Sequence, residues 1–136
     1  MSHIQKPAQG AVTGGRMLVD SLVAHDVSLM TCVPGESFLE ILDAIYERQQ
    51  SNDELPRLVL ARHEAGAANM AEAAGKISGR PAVCFVTRGP GAMHASIAVH
   101  TAYQDGTPMI LVIGQVARNV RGREAFQEMN YQAVFG

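Results

Sequence analysis

The chain has no apolar run approaching the ~20 residues a bilayer-spanning helix needs, and no cluster of lysine and arginine. The first absence leaves no membrane span to expect. The second, with 11 basic against 13 acidic residues and a net charge of −2, removes the electrostatic footprint of a nucleic-acid or anionic-membrane binder. Cysteine is scarce. Cys32 and Cys84 each lie inside an apolar run without metal-ligand spacing, so both are expected as reduced core thiols rather than a disulfide or metal pair. No internal repeat or low-complexity tract is found, and the opening MSHIQKPAQG has no apolar signal core. A cytoplasmic protein with a loose, flexible polar segment over 1–12 is expected. What remains suits one globular core: 136 residues, 47% hydrophobic and 18% charged.

Strand-like and helix-like stretches alternate. Thr13 is a natural N-cap for a helix in which Met17, Leu18, Leu22 and Val23 share a face, up to about His25. Residues 29–33 form a first strand that stops at Pro34-Gly35. Ser37 opens a second helix with Phe38, Ile41, Leu42 and Ile45 on one face, and 49–56 is a polar loop. The central stretch is RLVLARHEAGAANMAEAAGKISG, 57–79: a buried strand turns polar at Arg62-His63-Glu64 and becomes a helix of small residues. The third strand, 82–86, is apolar without alternation, as in a strand covered on both faces. A tight turn at Thr87-Arg88-Gly89-Pro90-Gly91 precedes a helix over about 92–103. Asp105-Gly106-Thr107-Pro108 breaks the chain before a fourth buried strand, 109–113. The expected fold is α/β, a three-layer α/β/α arrangement with a parallel sheet. The turns at Pro34-Gly35, Gly89-Pro90-Gly91 and Gly114 would then open on one carboxyl edge, where ligands bind in such sheets. Ala133-Val134-Phe135 reads as the start of another element, so a domain truncated at its C-terminus is expected.

Glu64 is the first candidate site residue, because it stands where a strand hands over to a helix. Its plain alternative is a first-turn carboxylate favoured by the helix dipole. His63 is adjacent, but neighbours at a helix start diverge, and a lone histidine is more often structural. Gly89-Pro90-Gly91 could cradle phosphate, or be simply a turn. It lacks the Lys-Ser/Thr of a P-loop and the spacing of a dinucleotide fingerprint, which disfavours a nicotinamide-binding domain. His94 and His100 share no metal pattern with cysteines or carboxylates, and no metal ligand is assigned. The small-residue face of 64–78 suits close approach of another helix, from this chain or a second subunit.

Four motifs occur in order: Arg62-His63-Glu64-Ala65-Gly66-Ala67-Ala68, Val86-Thr87-Arg88-Gly89-Pro90-Gly91-Ala92, Ile113-Gly114-Gln115-Val116 and Ala125-Phe126-Gln127-Glu128. Together, from Thr13 to the C-terminus, they resemble the pyrimidine-binding N-terminal domain of thiamine-diphosphate enzymes of the acetolactate synthase and pyruvate oxidase-like group. The resemblance implies that Glu64 hydrogen-bonds N1′ of the cofactor's aminopyrimidine, favouring the imino tautomer that deprotonates C2 of the thiazolium. The thiazolium then serves as the electron sink for a 2-keto acid, and burial of Glu64 would raise its proton affinity. Val33, Pro34 and Gly35 would lie beside the pyrimidine. Thr87, Pro90 and His94 would meet the cofactor, and Gln127 would face the active site.

Three departures from the family's usual residues are Glu36 for a second glycine, Arg88 for serine, and Met93-His94 for Thr-Asn. They keep the acetolactate synthase substrate from being carried over. Diphosphate and Mg2+ are held in this family by a Gly-Asp-Gly…Asn motif on another domain. That motif is absent here, so the metal ligands are expected outside this chain, and the chain alone is expected to be inactive. The resemblance also implies a homodimer or homotetramer, and FAD in the full protein is possible. Two alternatives stand beside it: a free pyrimidine-domain subunit of a split decarboxylase, such as sulfopyruvate decarboxylase, and a non-catalytic assembly module.

Overall fold

The computed structural model describes residues 11–51 and 56–136. The expected flexible start therefore falls almost wholly outside the described residues, as does the centre of the 49–56 loop. Helix α1 (Gly14–Ala24) begins as expected at Thr13, whose hydroxyl accepts from the Arg16 amide at 3.1 Å. Strand β1 (Leu29–Cys32) leads through a short 3-10 turn at Glu36–Phe38 into α2 (Leu39–Gln50). Strand β2 (Arg57–Leu60) precedes α3 (Glu64–Ser78), and β3 (Ala82–Thr87) runs directly into α4 (Arg88–Asp105). Strand β4 (Met109–Gly114) is followed by a 3-10 turn at Arg118–Val120 and the short α5 (Tyr131–Phe135). Helices α3 and α4 both end on a left-handed glycine, Gly79 (φ 68°) and Gly106 (φ 67°), a conformation that costs glycine little.

All strand pairs are parallel and the order is β2-β1-β3-β4. The chain leaves β1 toward one edge and β3 toward the other, so the switch point lies between their carboxyl ends. Side chains alternate across the sheet. Met30, Cys32, Val83 and Phe85 pack with Val19, Leu22, Ile41 and Ile45 beneath α1 and α2. Ala82, Cys84 and Val86 pack with Ala67, Ala68, Ala71, Ala95 and Ala98 beneath α3 and α4. The three-layer α/β/α arrangement is thus present. Both cysteines are buried and free, on opposite faces.

Several expectations are corrected. Strands β2 and β4 flank the sheet and are not fully buried; Leu60 and Ile110 are exposed. The two interior strands, β1 and β3, are buried along almost their whole length. Gly89-Pro90-Gly91 is not a turn ahead of the helix but its first turn. Proline fits there because the first amides of a helix have no intrahelical acceptor to lose. The break in backbone direction falls instead on Arg88, with φ 36°. Helix α2 also runs into the expected loop, to Gln50.

Candidate functional site

The carboxyl ends of β1 and β3 are in contact. A Cβ placed on Gly35 would come within 2.6 Å of Thr87 Cβ, so only glycine lets the β1 loop lie this close to β3. Ser37 Oγ and Thr87 Oγ1 hydrogen-bond at 2.7 Å. One residue to either side, Arg88 Nη1 meets Glu36 Oε1 at 2.8 Å. Arg88 is 15% exposed and Glu36 69%, so the charge is shared between a half-enclosed guanidinium and a carboxylate standing in solvent. Two of the three departures noted in the sequence are therefore partners. A non-glycine residue at φ 36° costs roughly 1–3 kcal/mol, and the ion pair to Glu36 helps hold it there.

Glu64 is the first residue of α3, beside the first turn of α4; a Cβ on Gly91 would lie 3.7 Å from its Cγ. Its side chain is 15% exposed and its Oε2 lies 2.8 Å from Nδ1 of His94, which is 51% exposed. The His94 ring stacks on His63, with centroids 4.5 Å apart and planes inclined by 29°. His63 in turn caps α3, its Nδ1 accepting from the Ala65 amide at 3.2 Å. The divergence expected of neighbours at a helix start is thus bridged by a third residue from another helix.

Burial pushes the Glu64 carboxyl up. The hydrogen bonds from His94 and from its own backbone amide, with the neighbouring imidazoles, outweigh burial and hold the carboxyl below its ordinary value. The expectation of a raised proton affinity names the largest single influence, but the sum has the opposite sign. An ionised Glu64 accepts from His94, which then carries its proton on Nδ1.

The remaining candidates are placed as follows. Val33 and Pro34 follow β1 on the same edge, with Pro34 exposed. Pro90 is exposed in the first turn of α4. Gln127 has φ 62°, and its backbone carbonyl accepts from the Gly89 amide at 2.9 Å, which docks the segment after β4 onto the start of α4. Glu128 fastens that segment by accepting from the Gly122 and Ala125 amides at 2.6 and 3.1 Å. Glu64 and His94 thus form one centre, Gly35 and Thr87 a second, and Gln127 joins through its backbone. The Glu64–His94 and Glu36–Arg88 pairs, both far apart in sequence, carried no local signal.

The fold and this edge define a doubly wound α/β domain with a semi-buried carboxylate at the carboxyl edge of its sheet. The family model described as "Thiamine pyrophosphate enzyme, N-terminal TPP binding domain" matches residues 12–134. The chain belongs to that family. It is 41% identical over 132 residues to an acetolactate synthase of Arthrospira platensis, covering 97% of this chain and 22% of the relative. It is 36% identical over 122 residues to the large subunit of acetolactate synthase isozyme 1 of Escherichia coli strain K12, covering 90% and 21%. It is 37% identical over 123 residues to the mitochondrial catalytic subunit of acetolactate synthase of Saccharomyces cerevisiae, covering 90% and 17%. The chain thus spans about a fifth of the length of these relatives. No helix among the described residues is long and apolar enough to cross a membrane.

Proposed function

We propose that residues 13–136 form the pyrimidine-binding half of a thiamine-diphosphate enzyme acting on 2-keto acids, by decarboxylation, carboligation or both. The observation that carries this is the semi-buried Glu64 at the carboxyl edge of the sheet, in a chain belonging to this cofactor's family. The donor set fits the group: an ionised carboxylate for a ring nitrogen, a glycine-lined helix start beside it and a loop pressed close by Gly35. When bound, thiamine diphosphate supplies a carbon nucleophile for the keto carbon and a sink for the electron pair released on decarboxylation.

The chain's own work is proton handling and positioning. Glu64 holds a proton between its carboxylate and N1′, and releases or shares His94 to do so. His63 steadies the His94 ring from one side. Val33, Pro34, Gly35, Thr87 and Pro90 line the approach. Gln127 belongs to a segment anchored on the start of α4 and is assigned a place facing the substrate. The Glu36–Arg88 pair ties the β1 loop to β3 and sets the charge at the mouth.

Mg2+, the diphosphate and any flavin of the full protein are assigned to residues outside this chain, and assembly is proposed as a homodimer or homotetramer in the cytoplasm. The relatives' name supports an acetolactate synthase-like reaction over the split-decarboxylase and assembly readings. In the full enzyme, Glu64→Gln is expected to slow hydrogen–deuterium exchange at C2 of bound cofactor by ~10²–10⁴-fold, the range for a positioned acid–base group. Exchange measured by NMR at the unaltered rate would overturn the assignment.

A further inference from the structure

His63, Glu64 and His94 form more than a hydrogen-bonded row. Each offers one ligand atom, and the three atoms lie within 4.8 Å of one another; no other His, Cys, Asp or Glu group of three does so among the described residues. We propose that this triad chelates a borderline transition-metal dication of the Zn2+ class. Resting on the reading above, the metal takes the seat assigned to the cofactor's aminopyrimidine, so metal and thiamine diphosphate exclude one another.

The donor set selects the metal. Two imidazole nitrogens and one carboxylate oxygen suit Zn2+, Co2+, Ni2+ or Cu2+, whereas Mg2+ and Ca2+ favour oxygen alone. The spacing is close to what ligation needs. Nitrogen and oxygen ligands bound at about 2.0–2.2 Å in a tetrahedral site stand about 3.3 Å apart, and His94 Nδ1 and Glu64 Oε2 already stand at 2.8 Å. Chelation therefore parts these two atoms by about half an ångström, and the neutral His94 ring gives up its Nδ1 proton to solvent while taking one from solvent on Nε2, so that the bare Nδ1 faces the metal.

His63 completes the set by turning about its side-chain bonds. Its Nδ1 is engaged with the Ala65 amide, so it must surrender that contact or ligate through its other nitrogen. It is the weakest of the three ligands. His94 and His63 are exposed and Glu64 is half-buried, which leaves the remaining coordination positions to water, as in an open rather than a structural site.

The test uses the complete natural protein, stripped of metal and cofactor and held in excess Mg2+ to occupy oxygen-only sites. Co2+ is titrated while its visible absorption is followed, with Zn2+ as competitor. One Co2+ per chain is expected at this site. His94→Asn should weaken it by at least the ~10–100-fold that loss of even an outer partner costs a metal site, with the circular dichroism unchanged. His100→Asn, on the same helix, should have no effect. Equal affinity in the two variants, or no Co2+ binding at millimolar concentration, would overturn the proposal. The second arm adds thiamine diphosphate. A fall in Co2+ affinity with rising cofactor supports exclusion. Independent binding leaves the metal on its ligands but overturns the shared seat, whereas the Glu64→Gln exchange experiment judges the cofactor assignment without any transition metal present.

Discussion

The two faces of the sheet are built from different material. Beneath α1 and α2 the core is of large side chains, with Phe38 and Phe85 stacked at 6.1 Å and Met30, Ile41, Ile45 and Leu22 around them. Beneath α3 and α4 alanine predominates, joined by Val86 and Cys84. Large side chains hold helices away from a sheet, whereas alanines let backbones approach. On the alanine side Gly75 lies so close to the Pro108 carbonyl that an added Cβ would come within 2.1 Å of its oxygen. This is the face that carries Glu64 and His94. Glu64 is the first residue of α3 and His94 lies in the second turn of α4, and they reach hydrogen-bonding distance because nothing bulky separates the two helices. The thick face supplies stability; the thin face supplies proximity.

Substitutions can break this contrast in either direction. The largest stability effect is expected from Phe85→Ala, which empties a fully buried site on the thick face and should lower the free energy of unfolding in urea by about 3–5 kcal/mol. A loss below ~1 kcal/mol would show that this face collapses around cavities. The reverse experiment overfills the thin face. Ala98→Leu, at a position without exposed surface, should cost about 1–3 kcal/mol. It should also part His94 from Glu64, visible as a change in the His94 imidazole NMR signals, while the same signals stay fixed in Phe85→Ala.

The Glu36–Arg88 pair joins the two faces at the sheet's edge and gives an intermediate case. Glu36→Gly leaves an enclosed guanidinium unpartnered and should cost about 1–2 kcal/mol. Arg88→Ser leaves only a solvated carboxylate and should cost less. The double change should recover most of the Glu36→Gly loss, and full additivity in a double-mutant cycle would deny the coupling.

The smallest effect is in pH dependence. Each face has a carboxylate held below its ordinary value. For Asp20, burial acts upward but the hydrogen bonds and charges of Arg48 and Arg16 outweigh it; for Glu64, the cause is chiefly His94. A lowered folded value stabilises the protein above the unfolded carboxyl's pKa and is lost as pH falls from there through the folded value. Both contributions should therefore fade as pH falls through and below the ordinary carboxylate range. Asp20 is 41% exposed, and added salt should screen its share. The share of the more enclosed Glu64 should persist in salt and shrink in His94→Asn, which leaves its backbone hydrogen bond and His63 in place. Acid titrations of stability at two ionic strengths separate them.

The order of strands and helices was legible in the sequence because each strand is a short apolar run bounded by polar or glycine-proline punctuation. Glu64 was legible as the carboxylate at a strand-to-helix hand-over. The exposure of β2 and β4 was not, because burial of a strand depends on its place in the sheet, and an apolar run says nothing of its neighbours. The start of α4 was hidden by Gly89-Pro90-Gly91, whose residues signal a break everywhere except in a helix's first turn. His94 as the partner of Glu64 was hidden for a different reason. The two are brought together by the approach of α3 to α4, and that approach is set by many alanines, none of which marks the meeting point.

Alanine against alanine makes a smooth seam, and a smooth seam has several nearly equivalent seats. A helix resting on it could slip along its axis with little loss of contact. Thr31 removes that freedom. Its hydroxyl, the polar group buried in β1, donates to the Ala67 carbonyl of α3 at 2.8 Å, and only one axial position of the helix offers that carbonyl. The hydroxyl acts as a detent. It fixes the phase of α3 against the sheet, and with it the height at which Glu64 stands above the strand ends.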